Sequence, residues 1–282
     1  PGQRRDRASY DVEASFYERG HADRLLAAGA RCPRPLLVER GGPADLVLVL
    51  TRLPGREQRK LGRPQVLSAL AWLARLHAAY WGPERAERAV ASGLQAQGCH
   101  WSLAWCREEL ARVPQDGLEG RLRLAAEALD ARLRAGALQT VCHGDPKDHN
   151  MLVDDEGGVA MYDFQWTGRA PASKDLAYCL TCAAGSLTPS DEEAYLRHYR
   201  GELAALLAAQ GDEPPALESL RESYLLAACD LARWMAGCPY GWWGHARVLR
   251  GHAEAVLRRL DGGAALASEA AYREAAFRVF AP

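Results

Sequence analysis

Two short runs hold most of the side chains suited to chemistry: Cys142-His143-Gly144-Asp145-Pro146-Lys147-Asp148-His149-Asn150, and Tyr162-Asp163-Phe164-Gln165-Trp166. Asn150 follows Asp145 by five residues, and Asp163 follows Asn150 by thirteen. Carboxylate and amide oxygens are what a hard divalent cation such as Mg²⁺ takes, commonly together with the phosphates of a nucleotide. Phosphoryl transfer leaves a protein little covalent work, so positioning and charge stabilisation carry the reaction. In that chemistry Asn150 and Asp163 are the metal ligands, and Asp145 accepts or orients the proton of an attacking hydroxyl. Lys147 reaches the transferred phosphate as a point charge.

These residues need elements that bring them together. Met151-Leu152-Val153 and Val159-Ala160-Met161-Tyr162 are apolar runs on either side of the turn Asp154-Asp155-Glu156-Gly157-Gly158. The pattern is a loop, a strand, a tight turn and a second strand that ends in an acid. An Asp-rich turn is usually only a solvated turn, so the weight lies on the joint occurrence of His143, Asp145, Asn150 and Asp163. Asp148 and His149 read as loop surface.

With His-Gly-Asp followed by Asn at that interval, the sequence resembles the aminoglycoside phosphotransferase and choline kinase-like superfamily. Asp163-Phe164-Gln165-Trp166 and Asp175-Leu176-Ala177 look most like its ecdysteroid kinase-like branch. The resemblance extends, less specifically, over nearly the whole chain. It implies an α+β, bilobal protein-kinase-like fold, with ATP and Mg²⁺ as cofactors and a small hydroxylated molecule as phosphate acceptor. Carried over residue by residue, it makes Asp145 the catalytic base, Asn150 and Asp163 metal ligands, and His143 the histidine that orders the loop. Lys147 matches the catalytic-loop lysine of protein kinases better than that of most aminoglycoside kinases.

A kinase of this type normally opens with a glycine-rich hairpin over the phosphates and a strand lysine that pairs with a helix glutamate. Glu13, in a helical run with Ser9 as its cap and Val12, Phe16 and Tyr17 on one face, resembles that glutamate. Residues 1–12 contain neither a glycine-rich loop nor a lysine, and Lys60, Lys147 and Lys174 are the only lysines of the chain. The expectation is an incomplete N-terminal lobe, more readily from a fragment that begins at Pro1 than from a relative that lost its upstream strands. Arg4, Arg5 and Arg7 read as a disordered basic terminus. A chain lacking the phosphate cover should bind nucleotide weakly, which keeps a non-catalytic, pseudokinase-like binding or regulatory protein open as the alternative.

A formal charge of −1 over 282 residues gives no bulk electrostatic reason for a nucleic-acid partner. No apolar run reaches the ~20 residues of a membrane span, and no signal sequence opens the chain. The eight cysteines are scattered and read as reduced, mostly buried thiols of a cytoplasmic protein. Cys179 and Cys182 sit inside an apolar helical pattern without a second pair at zinc spacing.

Along the chain, a helix over residues 9–29 leads to strands at 36–39 and 46–50 joined by Gly41-Gly42-Pro43. In the resembled family the linker after this strand offers backbone groups to the adenine edge, which makes Thr51-Arg52-Leu53 the expected nucleotide hinge; read by itself the segment is a strand-to-helix turn. The lobe boundary follows, with 1–55 as the partial small lobe and 56–282 as the helical large lobe. Helices are expected over 64–80, from Thr188-Pro189 to Gly211, and over 215–235, 242–260 and 265–280. His77 lies on an apolar stripe and reads as a core group. Trp81, Trp101, Trp105, Trp234, Trp242 and Trp243 make an aromatic acceptor pocket plausible, one suited to a lipophilic alcohol or, through cation–π contact, a quaternary ammonium.

Overall fold

The computed structural model describes residues 2–41 and 46–280. Two helices open the chain, α1 (Gly2–Glu18) and α2 (His21–Ala27), separated at Gly20, whose φ of +77° is a left-handed conformation that ends the first helix. The expected single helix over 9–29 is therefore two, and it begins before Ser9. Ser9 is not a cap: it lies inside α1 with its hydroxyl donating to Gln165 Oε1 at 3.0 Å. Residues 2–8 belong to α1, which corrects the disordered basic terminus.

The hairpin β1 (Pro35–Arg40) and β2 (Leu46–Leu50) is antiparallel, and α1 packs against it. Its turn residues 42–45, including the predicted Gly41-Gly42-Pro43 connection beyond Gly41, lie outside the described residues. Leu46, Leu48 and Leu50 are half-buried while Val47 and Val49 face water, the period-two alternation of a strand covered on one side only.

The rest is mainly helical. α3 (Arg63–Ala79) buries Val66, Leu70, Leu73, Leu76 and His77 along one face and packs along α8 (Pro189–Gln210). Between them come α4 (Pro83–Ala91), α5 (Arg107–Arg112), α6 (Gly117–Ala135) and α7 (Ser173–Cys182). The chain closes with α9 (Leu217–Gly237), α10 (Ala246–Asp261) and α11 (Glu269–Val279). The α8 boundaries follow sequence chemistry: Thr188 and Asp191 form a reciprocal capping box, and Gly211 stops the helix at φ +76°. Among the described residues no helix is long and apolar enough to cross a membrane.

Two further antiparallel pairs lie within this helical part. β4 (Met151–Val153) pairs with β5 (Val159–Met161) as read from the sequence, whereas β3 (Gln139–Cys142) pairs with β6 (Gly168–Pro171) and was not anticipated. Residues 139–142 are buried without exception, so they show no alternation, and their partner strand contains a glycine and a proline. Both pairs deliver residues to one place: β3 runs into His143 and β5 runs into Asp163.

Candidate active site

Local geometry begins with Gly144, whose φ is +89°; a Cβ there would stand 2.2 Å from the Trp166 carbonyl oxygen, so the second residue of His-Gly-Asp has to be glycine. The loop is then clamped from below by Asp175, in the first turn of α7 and fully buried. Its Oδ2 accepts the backbone N–H of His143 at 2.7 Å, and its Oδ1 accepts that of Gly144 at 2.9 Å. His77 Nε2 lies 3.1 Å from the same carboxylate, and its Nδ1 lies 2.7 Å from the Tyr199 hydroxyl, which ties α3 and α8 to the loop. His77 is thus a core group, as its position on an apolar stripe implied.

His143 is buried, with Nε2 donating to the Tyr162 carbonyl at 3.1 Å and Nδ1 accepting the Asp145 N–H at 3.3 Å. It therefore joins the loop to the end of β5. Asp145 Oδ2 accepts from Lys147 Nζ at 2.5 Å and from Asn150 Nδ2 at 3.0 Å, and the same Asn150 amide donates to the Asp145 carbonyl at 2.9 Å. Asn150 spends its NH₂ on Asp145, which leaves its amide oxygen as the atom available to a cation. Tyr162 N–H donates to the Asn150 carbonyl at 3.1 Å, so the β4–β5 hairpin carries Asn150 and Asp163 to one end.

Asp163 takes a left-handed φ of +68°, uncommon outside glycine and often found where function constrains the backbone. Burial, and next the Asp145 charge, push its carboxyl above the ordinary value; His143 and Lys147 oppose this. Glu13 responds in the same way: burial first, and then Asp163, raise it from 4.5 to about 7. Three acids thus crowd one low-dielectric region, an arrangement that a divalent cation relieves. The donor set fits such an ion, with Asn150 and Asp163 as its side-chain ligands.

Glu13 reaches this region because α1 lies across it. Its Oε1 accepts the Phe164 N–H at 3.1 Å, and one turn later Phe16 stacks on Phe164 with centroids 3.9 Å apart. The carboxylate that a strand lysine was expected to engage is therefore bound to the backbone beside Asp163. Glu13, Asp163, Thr51 and Leu53 line a cavity of about 470 Å³, together with Leu50 and Leu152. Within 51–53, Thr51 and Leu53 line it while the Arg52 side chain is exposed; Thr51 is fixed by its N–H donating to the Arg34 carbonyl and its hydroxyl oxygen accepting the Arg34 N–H. Asp148 is not loop surface: it is buried and accepts the Lys60 N–H at 3.0 Å.

On the other side of Asp145 stands an aromatic wall that pattern reading only partly anticipated. Asp145 Oδ1 is buried, the Tyr178 hydroxyl hydrogen-bonds the Asp145 carboxylate, and His100 Nδ1 lies 3.6 Å from Oδ1. The His100 ring contacts Tyr178 and Trp234 edge-on at 4.9 and 5.0 Å, and Trp243 follows at 5.0 Å from Trp234. Trp166 and Trp105 extend the wall. Trp101 instead lies under the buried Lys174, Trp242 under Arg250, and Trp81 belongs elsewhere, its carbonyl binding Arg85. Nothing local marked His100; Asp175 was marked only through the family resemblance of Asp175-Leu176-Ala177. The eight cysteines are free thiols, and burial pushes Cys182 up to about 12, so it stays protonated at neutral pH.

The family described as "Phosphotransferase enzyme family" matches residues 4–222. None of the curated proteins matches the chain. Among solved structures, an aminoglycoside 2′-phosphotransferase in complex with GDP is similar at a TM-score of 0.55 and 12% identity, covering 90% of this chain and 81% of that one. An amicoumacin kinase in complex with AMP-PNP, Ca²⁺ and Ami gives 0.54 and 13%, covering 88% and 77%. A choline/ethanolamine kinase family protein from Mesorhizobium loti gives 0.50 and 14%, covering 94% and 85%. At such identities the likeness speaks for the fold, which is the α+β, protein-kinase-like arrangement with a helical C-terminal region expected from the sequence.

Proposed function

The chain belongs to the phosphotransferase enzyme family, and from that premise we propose that it is an ATP-dependent small-molecule kinase that moves the γ-phosphate to a hydroxyl of its acceptor. The observation that carries this reading is the convergence of Asp145, Asn150 and Asp163 between a 470 Å³ cavity and an aromatic wall. Nucleotide occupies the cavity, with Thr51 and Leu53 at the adenine end and Asp163 at the phosphate end. A bound Mg²⁺ supplies charge neutralisation on the transferring phosphate, and Asn150 and Asp163 hold it.

Asp145 orients the acceptor hydroxyl and takes its proton, while Lys147 and Asn150 hold its Oδ2. Lys147 partly neutralises the same carboxylate and holds its rotamer, and His143 fixes the loop beneath it. The acceptor lies against His100, Trp166, Trp234 and Trp243, a surface suited to a lipophilic alcohol. That lining, with Asp163-Phe164-Gln165-Trp166, supports the ecdysteroid kinase-like branch. Residues 1–55 form the small lobe and 56–282 the large lobe in this reading, with both ligands between them. A second reading, a non-catalytic binding protein, draws on Glu13 being bound to the Phe164 backbone rather than to a lysine.

Screening hydroxylated compounds for ATP-dependent ADP release, with Asp145→Asn as the control, separates the two. The enzyme reading expects at least one phosphorylated product and a loss of about 10²–10⁴-fold in the variant, the usual contribution of a general base. Phosphorylation that persists undiminished in Asp145→Asn removes the assigned mechanism, and nucleotide binding without turnover of any acceptor favours the second reading.

A further inference from the structure

A second concavity, of about 280 Å³, lies between the α1–α2 turn, the end of α3 and the helix α4. Four arginines converge on it from three elements: Arg19, Arg24, Arg85 and Arg88. Among the described residues no carboxylate lines it. Arg85 is neutralised by Asp212 at 2.6 Å, but Arg88 meets Glu84 only at 3.9 Å between two exposed side chains, a contact of little worth. Arg24 has the Tyr80 ring at 5.1 Å and the Ala79 carbonyl at 3.4 Å, and Arg19 has no ion pair among the described residues.

The floor supplies no balancing charge. Tyr80 donates to His21 Nδ1 at 2.7 Å, His21 Nε2 donates to the Ser92 hydroxyl at 2.9 Å, and that hydroxyl donates to the Ala89 carbonyl at 2.8 Å. The relay uses all its protons internally, and burial, then the Arg24 charge, bring His21 down to about 4. Arg19, Arg24 and Arg88 therefore border one hollow over an uncharged floor. Like charges held together this way repel one another unless an anion joins them, and planar guanidinium forks match the oxygens of a phosphate group.

We propose that this pocket is a binding site for a phosphate-type oxyanion, held by Arg19, Arg24 and Arg88 above the Tyr80–His21–Ser92 relay. It is distinct from the nucleotide cavity, and it adjoins the helix that carries Glu13, since His21 stacks on Phe16 at 5.9 Å. The hollow exceeds what one inorganic phosphate fills, so a phosphate monoester also fits.

Calorimetric titration of the full chain with inorganic phosphate, and separately with phenyl phosphate, at constant ionic strength in chloride, tests this. The expected result is one site with a Kd of about 1 mM or tighter, weakened at least about tenfold in Arg24→Ala/Arg88→Ala and unchanged in Lys147→Ala. Tighter binding of phenyl phosphate identifies the ligand as an ester, and equal or weaker binding identifies inorganic phosphate. Thermal unfolding without phosphate checks that the double variant is folded; should it not be, the single Arg19→Ala, on an exposed side chain, carries the test with the same expected direction. The proposal is overturned by absence of binding at about 10 mM phosphate, by native affinity in the folded double variant, or by loss of binding in Lys147→Ala, which would put the anion at the catalytic loop.

Discussion

Between His143 and Asn150 the backbone is bound to a buried carboxylate, a buried histidine and a buried amide, whereas the β1–β2 hairpin holds itself by its own ladder and by α1 while Leu36 stays 67% and Val47 48% exposed. The loop's polar groups have been withdrawn from water, so each needs its partner in place and the geometry is stiff. The hairpin has two strands where a stable sheet usually has more, and its outer apolar side chains gain little by their position. Substitutions should therefore cost much in the loop and little in the hairpin.

Asp175→Ala gives the largest expected effect. It strands the His143 and Gly144 N–H groups and the His77 ring, and should lower stability by about 3–5 kcal/mol, readable by chemical denaturation. Stability within 1 kcal/mol of native would show the loop to be held by something else.

Next comes the acid crowding at Glu13. Its pKa is near 7 folded and 4.5 unfolded, so the folded state binds the extra proton between those values. Stability is therefore greatest below pH 4.5 on this account and falls as pH rises through 7, by up to about 3 kcal/mol at ~1.4 kcal/mol per pKa unit. Glu13→Gln mimics the protonated acid and should flatten that part of the slope between pH 5 and pH 8. Glu13→Gln also removes the repulsion that Asp163 feels from Glu13, so the difference between the two curves reports the Glu13–Asp163 pair together. Identical slopes would dissolve the proposed crowding.

Asp163→Ala should weaken Mg-ATP by about 100-fold, ~2.7 kcal/mol, and remove the metal dependence of what binding is left; unchanged affinity in calorimetry would put the cation elsewhere. Smallest is the hairpin: Leu36→Thr and Val47→Thr should each stay within about 0.5 kcal/mol of native. A loss above 2 kcal/mol would mean that the outer face of the hairpin is packed in solution, and the contrast with the loop would fail.

How legible the site was depended on sequence distance. Asp145, Asn150 and Asp163 lie on one stretch folded by a single hairpin, so spacing and turn residues sufficed to read them as a group. Ser9 was misread because a serine before an apolar run looks the same whether it caps a helix or bonds Gln165 from inside one, 156 residues away. β3 gave no alternation because it is enclosed throughout and β6 because it holds a glycine and a proline, and Asp148 looked like surface because its partner, the Lys60 N–H, is 88 residues distant.

What the sequence by itself determined were the elements with local causes: the capped helix from Thr188 to Gly211, the β4–β5 hairpin and the identity of the acids and amide that it carries. The tertiary structure alone decided how these groups are tuned. That Asp175 clamps the loop from His143 to Asn150, that His100 stands beside Asp145, that burial and Asp163 raise Glu13 to about 7 and that four arginines meet in one hollow all depend on burial and on charges brought together from distant positions. Electrostatic energy depends on separation in space and on exclusion of water, and neither is written in the order of residues along a chain.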